Sequence, residues 1–271
     1  MKKTVLIAAM MFAALLSRAQ WEPDVRLTNN SFSSWMSYNN ARNIAASGDS
    51  VHVVWYDNRN GASNYEIYYK RSTDGGISWG TDKRLTVSMA YSGIPSLAAS
   101  GTEVHVIWDA CIAMSDSVLH VVWMDDRDAS GPLNYDIYYK RSADGGLNWG
   151  PDTRLTNTPS YCGLPCVVAS GQVVHVVWED DRNGGIGDIY YKRSEDGGLS
   201  WSADIRLTND PANSWDPSIA VNGSIVHVIW MDDRNGDYEI YYKRSTDGGL
   251  TWGADTRLSN DPNDSEYPSI A

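Results

Sequence analysis

Phenylalanine is nearly missing from this chain, with 2 copies in 271 residues against 12 tryptophans and 16 tyrosines. A core built mainly on Phe is excluded, and the rings that are present carry polar tips suited to half-buried positions. Cysteine is scarce: three copies exclude complete internal pairing, so at least one thiol stays single if the chain is exported. Cationic charge is in deficit, with 22 Lys and Arg against 34 Asp and Glu and a formal charge of −12. Such a surface repels nucleic-acid phosphates and anionic membranes and favours solubility. No sustained 3.6-residue apolar pattern occurs, so no helix is expected after the N-terminal segment.

One apolar run stands out, from Val5 to Leu16, preceded by Lys2 and Lys3 and followed by Ser17-Arg18-Ala19. Basic start, short apolar stretch and small residues at the cut describe a secretory signal over 1–19. The run is too short for a mature membrane span, and Gln20 after the cut offers no lipid attachment. The mature part, 20–271, is expected to be secreted or displayed at the cell surface without membrane insertion. Losing Lys2, Lys3 and Arg18 takes its charge from −12 to −15.

An eight-residue phrase recurs four times: STDGGISW (72–79), SADGGLNW (142–149), SEDGGLSW (194–201) and STDGGLTW (245–252). Each closes a longer repeated paragraph, which signals an array of identical supersecondary units. A unit holds four β-rich runs separated by Gly, Asn, Asp and Pro. The first is PSIAVNG-like (43–48, 95–101, 165–171, 217–223). The second is VHVVW-like (51–55, 103–108, 118–123, 173–178, 225–230). The third is EIYYKRS-like (66–72, 136–142, 188–194, 239–245), and the fourth runs from the phrase's Trp into RLT. Four short strands per unit fit the blade of a β-propeller.

The spacing is uneven: Asp74 to Asp144 is 70 residues, whereas Asp144 to Asp196 is 52 and Asp196 to Asp247 is 51. The long interval holds two successive copies of the first two strands, PSLAASGTEVHVIWDA and CIAMSDSVLHVVWMDD. We expect an all-β propeller of about four full blades, a defective unit near 95–125 that lacks its third and fourth strands between Asp109 and Cys111, and a partial blade at the C-terminus. The ring would be incomplete or truncated, with DVRLT (24–28) as a lone fourth strand.

The phrase matches Ser-x-Asp-x-Gly-x-x-Trp at Ser72, Asp74, Gly76 and Trp79; Ser142, Asp144, Gly146 and Trp149; Ser194, Asp196, Gly198 and Trp201; and Ser245, Asp247, Gly249 and Trp252. This pattern resembles the Asp box, or bacterial neuraminidase repeat, and the mature chain looks like a member of the sialidase-like propeller group. The resemblance implies a hairpin turn between third and fourth strands. The residue types suit a structural role: Asp can pin turn amides, Gly permits positive φ, and Trp covers the turn. The resemblance also implies a sialidase site with three arginines, a Tyr–Glu nucleophile pair and an Asp. Its Arg-Ile-Pro motif, however, is matched by Gly93-Ile94-Pro95, Gly163-Leu164-Pro165 and Trp215-Asp216-Pro217, all without arginine.

Repetition also bears on the other candidates. Arg59, Arg127, Arg182 and Arg234 recur in a W-x-(D/N)-(D/N)-R turn, and all five histidines (His52, His105, His120, His175, His227) hold one second-strand position. A catalytic set is asymmetric, so no catalytic residue is assigned, and the chain is read as non-catalytic, with an exo-sialidase-type glycosidase as the enzymatic alternative. No metal or cofactor is expected: WYDNRNG lacks the closing Glu of a calcium loop, and Cys162 and Cys166 lack partner ligands. Cys111 and Cys166 stand where other units have Ser96, Ser218 and Ser269. They are either small residues on a crowded inner strand or a bridge between neighbouring units.

Antiparallel order places the loops entering each first strand on one face with the Arg-bearing turns. Those loops carry aromatics outside the strict repeat: Trp35, Tyr38, Tyr91, Tyr161, Trp215 and Tyr267. Trp35, Tyr91, Tyr161 and Trp215, with Arg59, Arg127, Arg182 and Arg234, are the ligand-binding candidates. They suit a glycan or a surface protein as partner. A purely structural array within a larger surface protein is the remaining alternative.

Overall fold

The computed structural model describes residues 26–28, 33–36, 43–61, 64–87, 92–128 and 134–270. The signal segment, Tyr38 and Tyr91 lie outside these residues. All regular structure among them is β, in five antiparallel sheets. The first contains β1 (Ser34–Trp35), β2 (Ile44–Ser47), β3 (Ser50–Asp57), β4 (Glu66–Ser72) and β5 (Lys83–Arg84). The second has only β6 (Pro95–Ser100) and β7 (Glu103–Trp108). The third is β8 (Cys111–Ser115), β9 (Val118–Asp125), β10 (Asp136–Ser142) and β11 (Thr153–Arg154). The fourth is β12 (Cys162–Ser170), β13 (Val173–Asp180), β14 (Asp188–Ser194) and β15 (Ile205–Arg206). The fifth is β16 (Ser214–Asn222), β17 (Ile225–Asp232), β18 (Glu239–Ser245) and β19 (Thr256–Arg257). The protein is an unclosed β-propeller whose second blade is two-stranded.

Second strands are apolar on both faces because each is packed between neighbouring sheets. In β13, Val174, Val176 and Trp178 alternate with Val177, and all four are fully buried. The fourth strands are shorter than the sequence suggests, two residues each. Side chains replace the ladder there: Arg84 pairs with Glu66 at 2.6 Å, and Thr86 Oγ1 accepts the Ile67 N–H at 2.9 Å. Short outer edges of this kind resist pairing with other chains.

Successive inner strands pack side by side, β2 on β6, β6 on β8, β8 on β12 and β12 on β16. A small polar atom bridges two of these contacts, and a third such bond ties β16 to the C-terminal segment. Ser96 Oγ accepts the Ile112 N–H at 3.3 Å, Cys111 Sγ the Val167 N–H at 3.4 Å, and Ser218 Oγ the Ile270 N–H at 3.3 Å. Cys111 and Cys166 meet here as free thiols, their sulfurs 3.7 Å apart. The Cys162 thiol donates to Asp180 at 3.2 Å, as the Ser34 and Ser214 hydroxyls donate to Asp57 and Asp232. A second tie runs between sheets farther out. Lys192 Nζ donates to the Leu155 carbonyl at 2.6 Å and Lys243 to Leu207, each reaching the fourth-strand segment of the preceding sheet. Lys70 reaches Leu27 in the same way, so 26–28 stands where a preceding fourth strand would.

The repeated box is built as its residue types require. Ser194 Oγ donates to Asp196 at 2.7 Å and accepts the Gly198 N–H at 2.8 Å, while Asp196 accepts the Ser200 N–H at 2.8 Å. The box then reaches the previous sheet. Trp201 packs edge-on against Tyr139 and Trp252 against Tyr191, with ring centroids 4.9 Å apart in both pairs. A Cβ on Gly198 would lie 1.8 Å from the Tyr139 hydroxyl, and one on Gly249 would lie 1.9 Å from that of Tyr191. Both glycines also have φ near +87°, at 87° and 86°, so close approach and backbone conformation demand glycine together. Trp149 has no such tyrosine, because the sheet before it lacks a third strand, and it is 41% exposed.

Removing the clamp should therefore have position-dependent effects. Trp201→Ala and Trp252→Ala should each destabilise the protein by about 3–5 kcal/mol, and Trp149→Ala by clearly less, as read from urea denaturation. Asp196→Ala should lower the melting temperature by stranding the Leu199 and Ser200 amides it now accepts. Equal costs at Trp149 and Trp201 would contradict the inter-sheet contact.

Candidate functional site

Hydrogen bonds define the two faces of the ring. The entry to each inner strand bonds the turn after the second strand: Tyr161 N–H to Asp181 at 2.9 Å, Asn213 N–H to Asp233 at 2.8 Å, Ser33 N–H to Asn58 at 3.2 Å. On the opposite face, box glycines bond the turn between first and second strands, as Gly197 N–H does to Gln172 O at 2.7 Å. The boxes therefore lie away from the entry loops.

On the entry face, the four repeated arginines are engaged within the protein. Arg182 forks onto Asp180, reaches Asp204 at 2.8 Å, and lies 4.3 Å from the Tyr190 ring centre. Arg59 does the same with Asp57, Asp82 and Tyr68, Arg127 with Asp125, Asp152 and Tyr138, and Arg234 with Asp232, Asp255 and Tyr241. These partners hold Asp125 and its counterparts below the usual carboxylate range. Four histidines bond a tyrosine hydroxyl on the adjacent strand, His175 to Tyr191 at 2.7 Å among them, and burial lowers the pKa of His120 and His175 to about 4.

The residue before each inner-strand proline has a left-handed backbone: φ is 49° at Ile94, 49° at Leu164, 48° at Asp216 and 54° at Tyr267. Such conformations cost about 1–3 kcal/mol each outside glycine and persist only where the surroundings impose them. They form a strained collar on the entry face, and its side chains differ from unit to unit. Tyr161 folds over Gly163, where an added Cβ would lie 2.1 Å from the phenol oxygen. An arginine at that place in the Arg-Ile-Pro pattern would meet this ring. Tyr161 and Trp215 are partly buried and stand edge-on to Tyr135 and Tyr238. Trp35 and Tyr267 are exposed, at 54% and 56%.

Two acids missing from the sequence-derived candidates sit between these rings. Glu179 occupies the variable place of W-x-D-D-R, where Tyr56, Met124 and Met231 stand in other units. That departure from the column was its only signal in the sequence. Glu179 is 8% exposed and Asp216 6%, and neither has a hydrogen bond or ion pair among the described residues. Burial, reinforced by Asp216 and Asp181, pushes Glu179 up to about 8, and burial with Glu266 nearby raises Asp216 to about 6. Gly187 leaves room for the pair of groups beside it: a Cβ there would lie 3.3 Å from Glu179 Oε1 and 3.2 Å from Trp215 Nε1. Burial thus favours the neutral, donating form of both acids, and that of Glu179 the more strongly. A neighbouring cavity of about 370 Å³ joins Asp109, Trp123, Tyr161 and Leu164 between the second, third and fourth sheets. No group of three or more metal-ligating side chains occurs among the described residues.

No protein-family model matches the sequence, and no curated protein matches it. Similar folds are found among solved structures. A protein of unknown function from Dyadobacter fermentans shares 16% identity over 84% of this chain and 70% of its own, with a TM-score of 0.52. A Trypanosoma rangeli sialidase shares 16% over 78% of this chain and 37% of its own (TM-score 0.44), and a Penicillium chrysogenum alpha-L-arabinanase 15% over 77% and 63% (TM-score 0.45). This chain thus spans less than two thirds of either enzyme. The likeness to these structures is one of fold alone.

The raised acids set a pH dependence. A carboxyl whose pKa is higher folded than unfolded binds more protons in the native state between the two values, so stability falls as pH rises there. For Glu179 that interval runs from the ordinary glutamate value up to about 8, and for Asp216 up to about 6. The melting temperature should decline from mildly acidic to mildly alkaline pH, and Glu179→Gln should flatten the decline. A variant profile parallel to that of the parent would contradict the burial of this acid.

Proposed function

We propose that the protein is an exported carbohydrate-binding propeller that takes its ligand on the entry face, where the fourth and fifth sheets meet. The observation that carries this reading is a pair of buried, unpaired carboxyls, Glu179 and Asp216, beside the rings of Tyr161 and Trp215. Sugars present C–H faces that stack on rings and hydroxyls that pair with acids of both protonation states. The four repeated arginines act as scaffold in this reading, since aspartates already occupy their donors.

A second reading, glycoside hydrolysis, is favoured by the separated pKa values of Glu179 and Asp216, because such chemistry needs one carboxyl protonated and one ionised. Sialosides are the wrong substrates for it, because Gly93 and Gly163 stand where the resemblance requires arginine.

A glycan array with purified protein distinguishes these readings. Binding should fall by about tenfold or more in Trp215→Ala and Glu179→Gln, a loss typical of central interface residues, with folding intact and no sialoside cleaved. Full retention in both variants moves the ligand elsewhere. Turnover of a bound glycoside that is lost in Glu179→Gln establishes the second reading instead.

A further inference from the structure

The two-stranded second sheet leaves a row of unsatisfied contacts whose counterparts are filled everywhere else in the ring. In the intact sheets the second-strand tryptophan is covered by a third-strand tyrosine: Trp55 by Tyr68, Trp178 by Tyr190 and Trp230 by Tyr241. These tryptophans are 2%, 0% and 0% exposed, whereas Trp108 on β7 is 46% exposed. The second-strand histidine bonds a tyrosine hydroxyl in four sheets (His52, His120, His175, His227), but His105 bonds none among the described residues. Among the described residues Lys140 reaches only Asp152, where Lys70, Lys192 and Lys243 also hold a carbonyl of the preceding unit. Trp149 lacks the tyrosine that faces Trp201 and Trp252.

Lys140 and Trp149 line a common space, on the face of β7 opposite Trp108. An apolar trench of about 370 Å³ runs between β7 and the third sheet, lined by Ile107, Val121, Trp123, Lys140 and Trp149. Among the described residues, β7 pairs only with β6, so its outer edge carries free backbone donors and acceptors.

We propose that this edge and trench accept an extended β-strand from a partner protein, rich in tyrosine and basic at one end. The intact sheets specify its chemistry. In the first sheet, Val54 faces Tyr69, Trp55 faces Tyr68, Val53 faces Lys70 and His52 faces Arg71. By the same register, a strand on β7 places tyrosines opposite Ile107 and Trp108, and basic residues opposite Val106 and His105. One tyrosine then meets His105 through its hydroxyl and Trp149 through its ring, as Tyr139 meets His120 and Trp201, and the other covers Trp108 as Tyr138 covers Trp123. Backbone pairing supplies affinity and alternate side-chain pockets supply selectivity. Among the described residues a second copy of this chain offers no third strand with a free edge, because β4, β10, β14 and β18 are each hydrogen-bonded on both edges.

The probe is the synthetic peptide Asp-Ile-Tyr-Tyr-Lys-Arg-Ser, which repeats the phrase at 188–194, titrated against the whole protein. Saturable binding is expected, with slower hydrogen exchange at the β7 amides. Binding should weaken by about tenfold in Trp108→Ala and in Trp149→Ala, a loss typical of truncated anchor residues. Both sites are exposed enough for these variants to fold. A peptide with proline at its first tyrosine should not bind, since the outward bonds of Ile189 and Arg193 leave that residue's N–H facing the second strand. Absence of saturable binding overturns the proposal, as does binding that leaves β7 exchange unchanged or tolerates the proline. Concentration-dependent dimerisation that protects β7 would give the slot to a second copy and likewise overturn it.

Discussion

The fourth and fifth blades of this propeller each lean on the one before through the same repeated contact: a third-strand tyrosine held against the tryptophan and glycine of the next box. The tyrosine is fixed from behind by a histidine, His120 for Tyr139 and His175 for Tyr191. The turn on the other side is fixed by its own Ser and Asp. Six residue types are thereby tied to one joint, which is why they recur together. The aspartates serve the turn, and their pKa values are lowered by the hydroxyls and amides they accept. Stability and repetition are two views of the same packing.

Where the joint is missing, its dependents show it. The second sheet has no third strand to supply a tyrosine, and the consequences spread to Trp108, His105, Lys140 and Trp149. Where the repeat is complete but its variable places change, the consequence is chemical. Glu179 replaces the Tyr or Met of its column, Asp216 shares its place with Ile94, Asp109, Leu164 and Tyr267, and the scaffold buries both acids without a counter-charge. Repeated residues build the ring, and the unrepeated ones give its entry face a character of its own.

Much of this was legible in the sequence. The third strands occupy the ranges that the EIYYKRS-like runs mark out, because alternating Ile and Tyr between turn residues leaves little freedom of register. The two-stranded sheet follows from the doubled PSLAASG-like segment. The fourth strands came out shorter than the sequence suggests, since Arg84, Thr86 and their equivalents hold the edge through side chains. The partner of the box tryptophan was not legible, because local pattern carries no information on which neighbouring sheet a ring will face. Nor was the site. Glu179 is visible as the odd member of its column, but only the folded ring shows that it lies beside Asp216 and Trp215 without a partner.

The central claim, that the box couples adjacent blades, is tested most directly by a double-mutant cycle on Tyr191 and Trp252. Both single alanine variants and the double variant are unfolded in urea, and the coupling energy is taken from the three losses of stability. The inter-blade contact predicts a coupling of about 0.5–1.5 kcal/mol, the range for edge-on aromatic pairs. Additive losses, with no coupling beyond error, would show that the tryptophan serves only its own turn and would contradict this account.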